Sequence, residues 1–241
     1  VNLLIEYFTS TNKSRDNEYL FCIQQNILNP LIDKIYVFIS DNSALNFTDK
    51  KLEIVKLSTR PTFSDLFKFC NDNLTNQNCI ISNTDIFFDE SLSKLDGHDM
   101  TNKLLSLTRW DIAYDGKGWV MKYYDYPWWD CYLADGTLSE KDSIRTNQLS
   151  QDAWIIKSPV KLDNRLNFLM GKPGCDNRIS QVMFENGYHV SNPSKVIICK
   201  HYHQTNFRTY GNHDLIPGPY LLIKYTEDLN IPSEIKTIPH F

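Results

Sequence analysis

A chain of 241 residues, 41% hydrophobic and 22% charged, is long enough to bury one sizeable core, and no Pro/Gly/Ser-rich linker divides it. A formal net charge of −4 with no Lys/Arg cluster argues against a nucleic-acid partner, because phosphate binding needs a basic patch. No apolar run approaches the roughly 20 residues of a membrane span, so the expected partners are small molecules.

The opening VNLLIEYF has neither a basic start nor a small-residue cleavage site and is expected to form a first strand instead of a signal peptide. NEYLFCIQQNIL follows with apolar residues at helical spacing, and KIYVFIS reads as a second strand. LEIVKL predicts a third strand and TFSDLFKFCN a helix with Leu66, Phe67 and Cys70 on adjoining turns; NCIISNTDIFF predicts a fourth strand. This strand–helix alternation is the pattern of an α/β half-sheet, whose ligands sit at the carboxyl ends of the strands.

Beyond KLLSLTRWDIAY the chain turns irregular, with Gly116, Gly118 and Pro127 among the aromatics Trp119, Tyr123, Tyr124, Tyr126, Trp128 and Trp129. Such a cluster is either satellite core or a set of flat faces for a sugar ring or apolar acceptor. The polar stretch ADGTLSEKDSIRTNQ follows, of a length that is functional or mobile in compact domains. DAWIIKS resumes a strand, and CDNRISQVMFENGYHV reads as a helix closed by Gly187 and a return strand. SKVIICKHYHQ predicts a further strand with His201 and His203 on one face, and the tail from Gly211 to Phe241, broken by four prolines, shows no clear periodicity.

The six cysteines form no C-x-x-C pair, and Cys22, Cys79 and Cys199 sit in apolar segments where a reduced thiol packs as a small hydrophobe. A reducing, cytoplasmic setting is the expectation. The glycosylation triplets at Asn12, Asn46 and Asn73 carry no weight in a chain so rich in Asn.

Three polar elements carry the chemistry. Asn83 and Asp85, two apart where an apolar run breaks, are either an ordinary turn or hard oxygen ligands for Mg²⁺ or Mn²⁺. Asp176, at the start of a helix, is an N-cap or a general base. His201 and His203 are a surface pair or a source of one metal ligand.

With Asn83-Thr84-Asp85 at a strand end, the segment DAWIIKSPVKLDNRLNFLMGKPGCDNRISQVMFENGYHV and the late histidine strand, the chain resembles nucleotide-sugar glycosyltransferases of the GT-A fold. It looks most like the small single-domain transferases of chlorella-type giant viruses and some bacteria. The resemblance spans roughly residues 2–210 and rests on order and spacing more than on any one motif. It implies a GT-A-like α/β domain over 1–241, a mixed central sheet flanked by helices. About 1–110 would be the nucleotide-binding half, about 111–210 the acceptor and catalytic half, and 211–241 a C-terminal extension.

The family's D-x-D motif corresponds to Asn83-Thr84-Asp85, departing at its first position, and its acidic pair before a helix to Gly174-Cys175-Asp176, lacking the Glu. These positions imply Asp85, Asn83 and His201 or His203 around Mn²⁺ or Mg²⁺, and Asp176 as the base of an inverting transfer to a glycan or other acceptor. The resemblance further implies Asp152 as a second candidate base or a ligand for sugar hydroxyls. Arg60 would contact the nucleoside or diphosphate, although Arg60-Pro61 also fits a plain helix start, and Arg208 and Tyr210 would close over the phosphates. The rival expectations are a non-catalytic glycan-binding protein and a sugar nucleotidyltransferase; against the latter, FTSTNKSRDNE after the first strand has no Gly to cradle phosphates.

Overall fold

The computed structural model describes residues 1–114, 119–122, 150–205, 207–208 and 210–239. Its centre is a mixed seven-stranded sheet flanked by helices. β1 (Asn2–Glu6) lies between two parallel neighbours, β2 (Lys34–Ile39) and β4 (Asn78–Ser82), and β3 (Leu52–Lys56) pairs with β2 at one edge. β9 (Gln151–Lys157) runs antiparallel between β4 and β6 (Lys103–Thr108), and β10 (His189–Ser191) closes the other edge.

The inner strands are buried on both faces because both faces are covered, whereas the edge strands β3 and β10 are partly exposed. Leu4, Phe38, Ile81, Trp154 and Ile156 point to one side and pack with α2 (Phe63–Asn73) and α3 (Cys175–Glu185). Leu3, Ile5, Val37, Ile80 and Ile155 point to the other, against Tyr19 and Ile23 of α1 (Lys13–Leu28) and the residues of a second sheet. That sheet has the order β5 (Ile86–Phe88), β11 (Cys199–His201), β7 (Trp110–Tyr114), β8 (Trp119–Lys122). Among the described residues no helix is long and apolar enough to cross a membrane.

Local chemistry sets the helix starts. The Asn12 side chain accepts from the amides of Ser14 and Arg15, so α1 begins four residues before its apolar spacing becomes legible. Thr62 and Asp65 form a reciprocal capping box on α2. Gly174 precedes α3 in the left-handed region at φ 75°, and a Cβ there would stand 2.9 Å from the Tyr220 ring. Asp176 therefore falls inside the first turn of α3, and the N-cap position belongs to Gly174.

Three expectations about elements are corrected. Residues 78–88 are two strands in different sheets, because the chain turns at Asn83, whose carbonyl accepts from Ile86 N (3.3 Å). Residues 194–204 contribute only the short β11, so His203 lies beyond a strand end. The tail is not without order: β12 (Tyr220–Ile223) and β13 (Ile235–Ile238) form an antiparallel hairpin whose Leu221 and Ile223 join the core beside α3. Tyr123, Tyr124, Tyr126, Trp128, Trp129, the two glycines, Pro127 and the polar stretch 134–148 lie outside the described residues, whereas Trp119 falls in β8.

Asn26 of α1 acts as a surrogate strand for β5: its amide nitrogen donates to Ile86 O (2.9 Å) and its oxygen accepts from Phe88 N (3.2 Å). Asn26→Ala orphans two buried backbone groups and is expected to lower unfolding free energy by roughly 2–4 kcal/mol, read from urea denaturation. A loss below about 0.5 kcal/mol would show that β5 holds its place without it.

Candidate active site

The turn at Asn83–Asp85 lies where β4 ends and the chain leaves the central sheet. Thr84 anchors it by donating its hydroxyl to the Glu6 carbonyl at the end of β1. β5 then pairs antiparallel with β11, opposing Ile86 to His201, and Tyr202 N donates to the Asp85 carbonyl (2.9 Å). This pairing sets Asp85, His201 and His203 side by side, with one ligand atom from each lying within 4.8 Å of the others. The two imidazoles meet edge to face at 5.5 Å between centroids.

Asp85 is a buried, shared carboxylate. Its Oδ2 accepts from Arg15 Nη2 and meets His201 Nε2 at 3.1 Å, while its Oδ1 is buried without a hydrogen-bond partner. Burial alone would raise its pKa, but His201 and Arg15 outweigh that and hold it far below the carboxylate range. Burial pulls His201 down, yet Asp85 and the hydrogen bond to Asp111 (2.6 Å at Nδ1) raise it on balance. Burial and the charge of Arg15 lower His203 to about 4, and its Nε2 is buried with no partner.

These atoms suit a divalent cation. Two orphaned donors, Asp85 Oδ1 and His203 Nε2, stand beside His201, whose far nitrogen is fixed by a carboxylate as in metal-ligating histidines. A neutral His203 offers its lone pair at physiological pH. One carboxylate with two imidazoles suits Mn²⁺ better than Mg²⁺, which prefers an all-oxygen shell.

A second group of side chains lies across the same cleft. Asn83 donates its amide nitrogen to Asp152 Oδ1 (2.8 Å), leaving only its oxygen for the expected metal shell. Asp152 also accepts from Arg109 Nη1 (3.1 Å) and Ser150 Oγ (3.2 Å), so its oxygens are occupied and it is poorly placed to take a proton. Arg109 Nε in turn donates to Asp111 (3.0 Å), linking the two halves of the cleft. Asp176 is different. It accepts from Gln151 N (3.2 Å), and burial followed by the charge of Asp152 raises its pKa to about 7.

Every residue expected from sequence lines this one cleft: Arg60, Asn83, Asp85, Asp152, Asp176, His201, His203, Arg208 and Tyr210. Arg60 binds Glu6 through two hydrogen bonds of 2.7 Å, which largely neutralises the charge expected to meet a diphosphate. Arg208 donates to the Tyr210 hydroxyl at the cleft rim, where Tyr210 is exposed.

Sequence reasoning missed Glu6, Arg15, Arg109, Asp111 and Lys172, all of which line the cleft or bond to residues that do. Two left a signal. A cation in the first turn of a helix, as at Arg15, opposes the helix dipole and calls for a nearby anion. Glu6 follows the apolar run Leu3–Ile5 at the carboxyl end of β1, where ligands of such sheets bind. No protein-family model matches the chain, and no curated protein matches it.

The raised pKa of Asp176 makes stability depend on pH. The folded carboxyl keeps its proton where the unfolded one has lost it, so its contribution is full below about pH 4 and falls away as pH rises through about 7. Asp176→Asn, which cannot ionise, is expected to gain on the order of 4 kcal/mol over wild type at pH 8 relative to pH 4. Parallel pH profiles of the two proteins in chemical denaturation would contradict the raised value.

Proposed function

We propose that the chain is a metal-dependent glycosyltransferase of GT-A type. It moves a sugar from a nucleoside-diphosphate sugar to a hydroxyl of a glycan or other acceptor, with inversion at the anomeric carbon. One observation carries the reading: a cluster of metal-ligand type, Asp85, His201 and His203, shares a cleft with Asp176, a carboxyl whose pKa is pushed up to about 7 by burial and by the charge of Asp152.

Asp85, His201 and His203 would hold Mn²⁺ or Mg²⁺, which when bound supplies Lewis-acid stabilisation of the departing diphosphate. The chain's own groups do the rest. Asp176 takes the proton of the acceptor hydroxyl as that oxygen attacks, a task suited to a base whose pKa lies near the working pH. Asp152, its oxygens held by Asn83, Arg109 and Ser150, orders those three side chains along the cleft and keeps Asp176 basic through its own charge. Arg15 and Arg208 supply cationic donors along the cleft for phosphate oxygens, whereas Lys172 is paired with Asp214. Arg60, locked to Glu6, shapes the wall at the end of β1 more than it neutralises a ligand.

A sugar nucleotidyltransferase fits less well, because the connection from β1 to α1 contains no Gly. The thiols of Cys22, Cys70, Cys79, Cys175 and Cys199 are all buried and free, which supports a reducing, cytoplasmic setting.

Incubated with Mn²⁺ and a panel of sugar nucleotides, the protein is expected to hydrolyse a preferred donor slowly and to transfer its sugar when an acceptor is present. Asp85→Ala should abolish both reactions. Asp176→Asn should keep donor affinity in calorimetry while turnover falls by about 10²-fold or more. Glycan binding with no turnover of any donor would favour a non-catalytic module instead.

A further inference from the structure

We propose that Arg15 controls when the metal subsite fills: its guanidinium competes with a divalent ion for Asp85, so that the ion binds tightly only together with an anionic diphosphate. This rests on the metal reading of Asp85, His201 and His203 and adds to it a determinant located in α1.

Arg15 is a fixture of the cleft. It is 7% exposed, its Nη1 donates to Glu18 (2.8 Å) and its guanidinium lies 4.5 Å from the Tyr19 ring centroid. Glu18 is itself anchored by the amides of Gln204 (2.6 Å) and Thr205 (2.8 Å). The guanidinium therefore stays near Asp85 even if that carboxylate turns to another partner.

The consequence is electrostatic. Of the two Asp85 oxygens, Oδ2 is taken by Arg15 and only Oδ1 is free for a cation. A bare divalent ion at Oδ1 and His203 Nε2 sits beside a buried positive charge, where repulsion is poorly screened. When the ion arrives bound to a diphosphate, the phosphate charges cancel that of the ion, or exceed it in the case of pyrophosphate, so the repulsion is lifted and the same guanidinium meets phosphate oxygens it can bond. Among the described residues no other guanidinium or ammonium group of the cleft bonds to Asp85: Arg60, Arg109 and Lys172 are paired with Glu6, Asp152 and Asp214, and Arg208 with the Tyr210 hydroxyl, although Arg109 adds its charge to the field at Asp85 and His201.

The test follows Mn²⁺ binding to the full chain by the electron paramagnetic resonance of the free ion, with and without inorganic pyrophosphate, whose own affinity for Mn²⁺ is measured separately. Wild type is expected to bind Mn²⁺ about tenfold or more tightly with pyrophosphate than alone. Arg15→Met should bind Mn²⁺ alone about tenfold more tightly than wild type and lose most of the pyrophosphate effect, while Arg15→Lys, which keeps the charge, should retain it.

Equal Mn²⁺ affinity of wild type with and without pyrophosphate overturns the proposal without recourse to any variant. So does an Arg15→Met protein that binds Mn²⁺ alone no more tightly than wild type; if Asp85→Ala still abolishes binding, the metal reading survives that result. No Mn²⁺ binding under either condition overturns both.

Discussion

Two backbone contacts between segments far apart in sequence, Ile86 paired with His201 and Tyr202 N bonded to the Asp85 carbonyl, hold the end of β4 against β11. The cleft depends on them. The turn at Asn83–Asp85 delivers a carboxylate to the carboxyl end of the central strand β4, but only the pairing with β11 brings imidazoles to it. Asn26 secures β5 from α1, and α1 also carries Arg15 and Glu18. One helix thus supports both the backbone of this junction and its charges.

Acidic and basic groups alternate along a continuous hydrogen-bonded path: Glu18, Arg15, Asp85, His201, Asp111, Arg109, Asp152. Such a chain contributes little net stability compared with two apolar cores, because each ion loses its hydration on burial. What it fixes is placement. Every member is held by neighbours on both sides or by backbone amides, so the carboxylates keep set positions before any ligand enters. Asp176 stands outside the chain, facing a like charge with no cation on its own carboxylate among the hydrogen bonds described, and is left with the chemistry of a base.

The strands of the first half were legible because their runs are apolar and bounded by polar turns, and the two apolar faces of KIYVFIS and NCIIS follow from burial on both sides. Their breaks were less visible. Residues 78–88 read as one strand because Ile86, Phe87 and Phe88 are as apolar as what precedes Asn83; only the tertiary pairing with β11 separates them. The site residues with a recognisable spacing, Asn83, Asp85, His201 and His203, could be named from sequence. Arg109 and Asp111 could not, since a salt-bridged pair flanking Trp110 looks like any exposed strand end until Asp152 and His201 are beside it. The hairpin of the tail was hidden because Pro217, Pro219, Pro232 and Pro239 mask two strands of only four residues each.

The close approach of Gly174 to the Tyr220 ring ties the start of α3 to that hairpin. Any lineage that enlarges residue 174 meets two obstacles together, a left-handed backbone and an aromatic ring in the space a side chain would need. Substitution at 174 is therefore an evolutionary option only after residue 220 has shrunk and the loop has relaxed, so the helix bearing Asp176 and the carboxyl-terminal hairpin are expected to diverge in step.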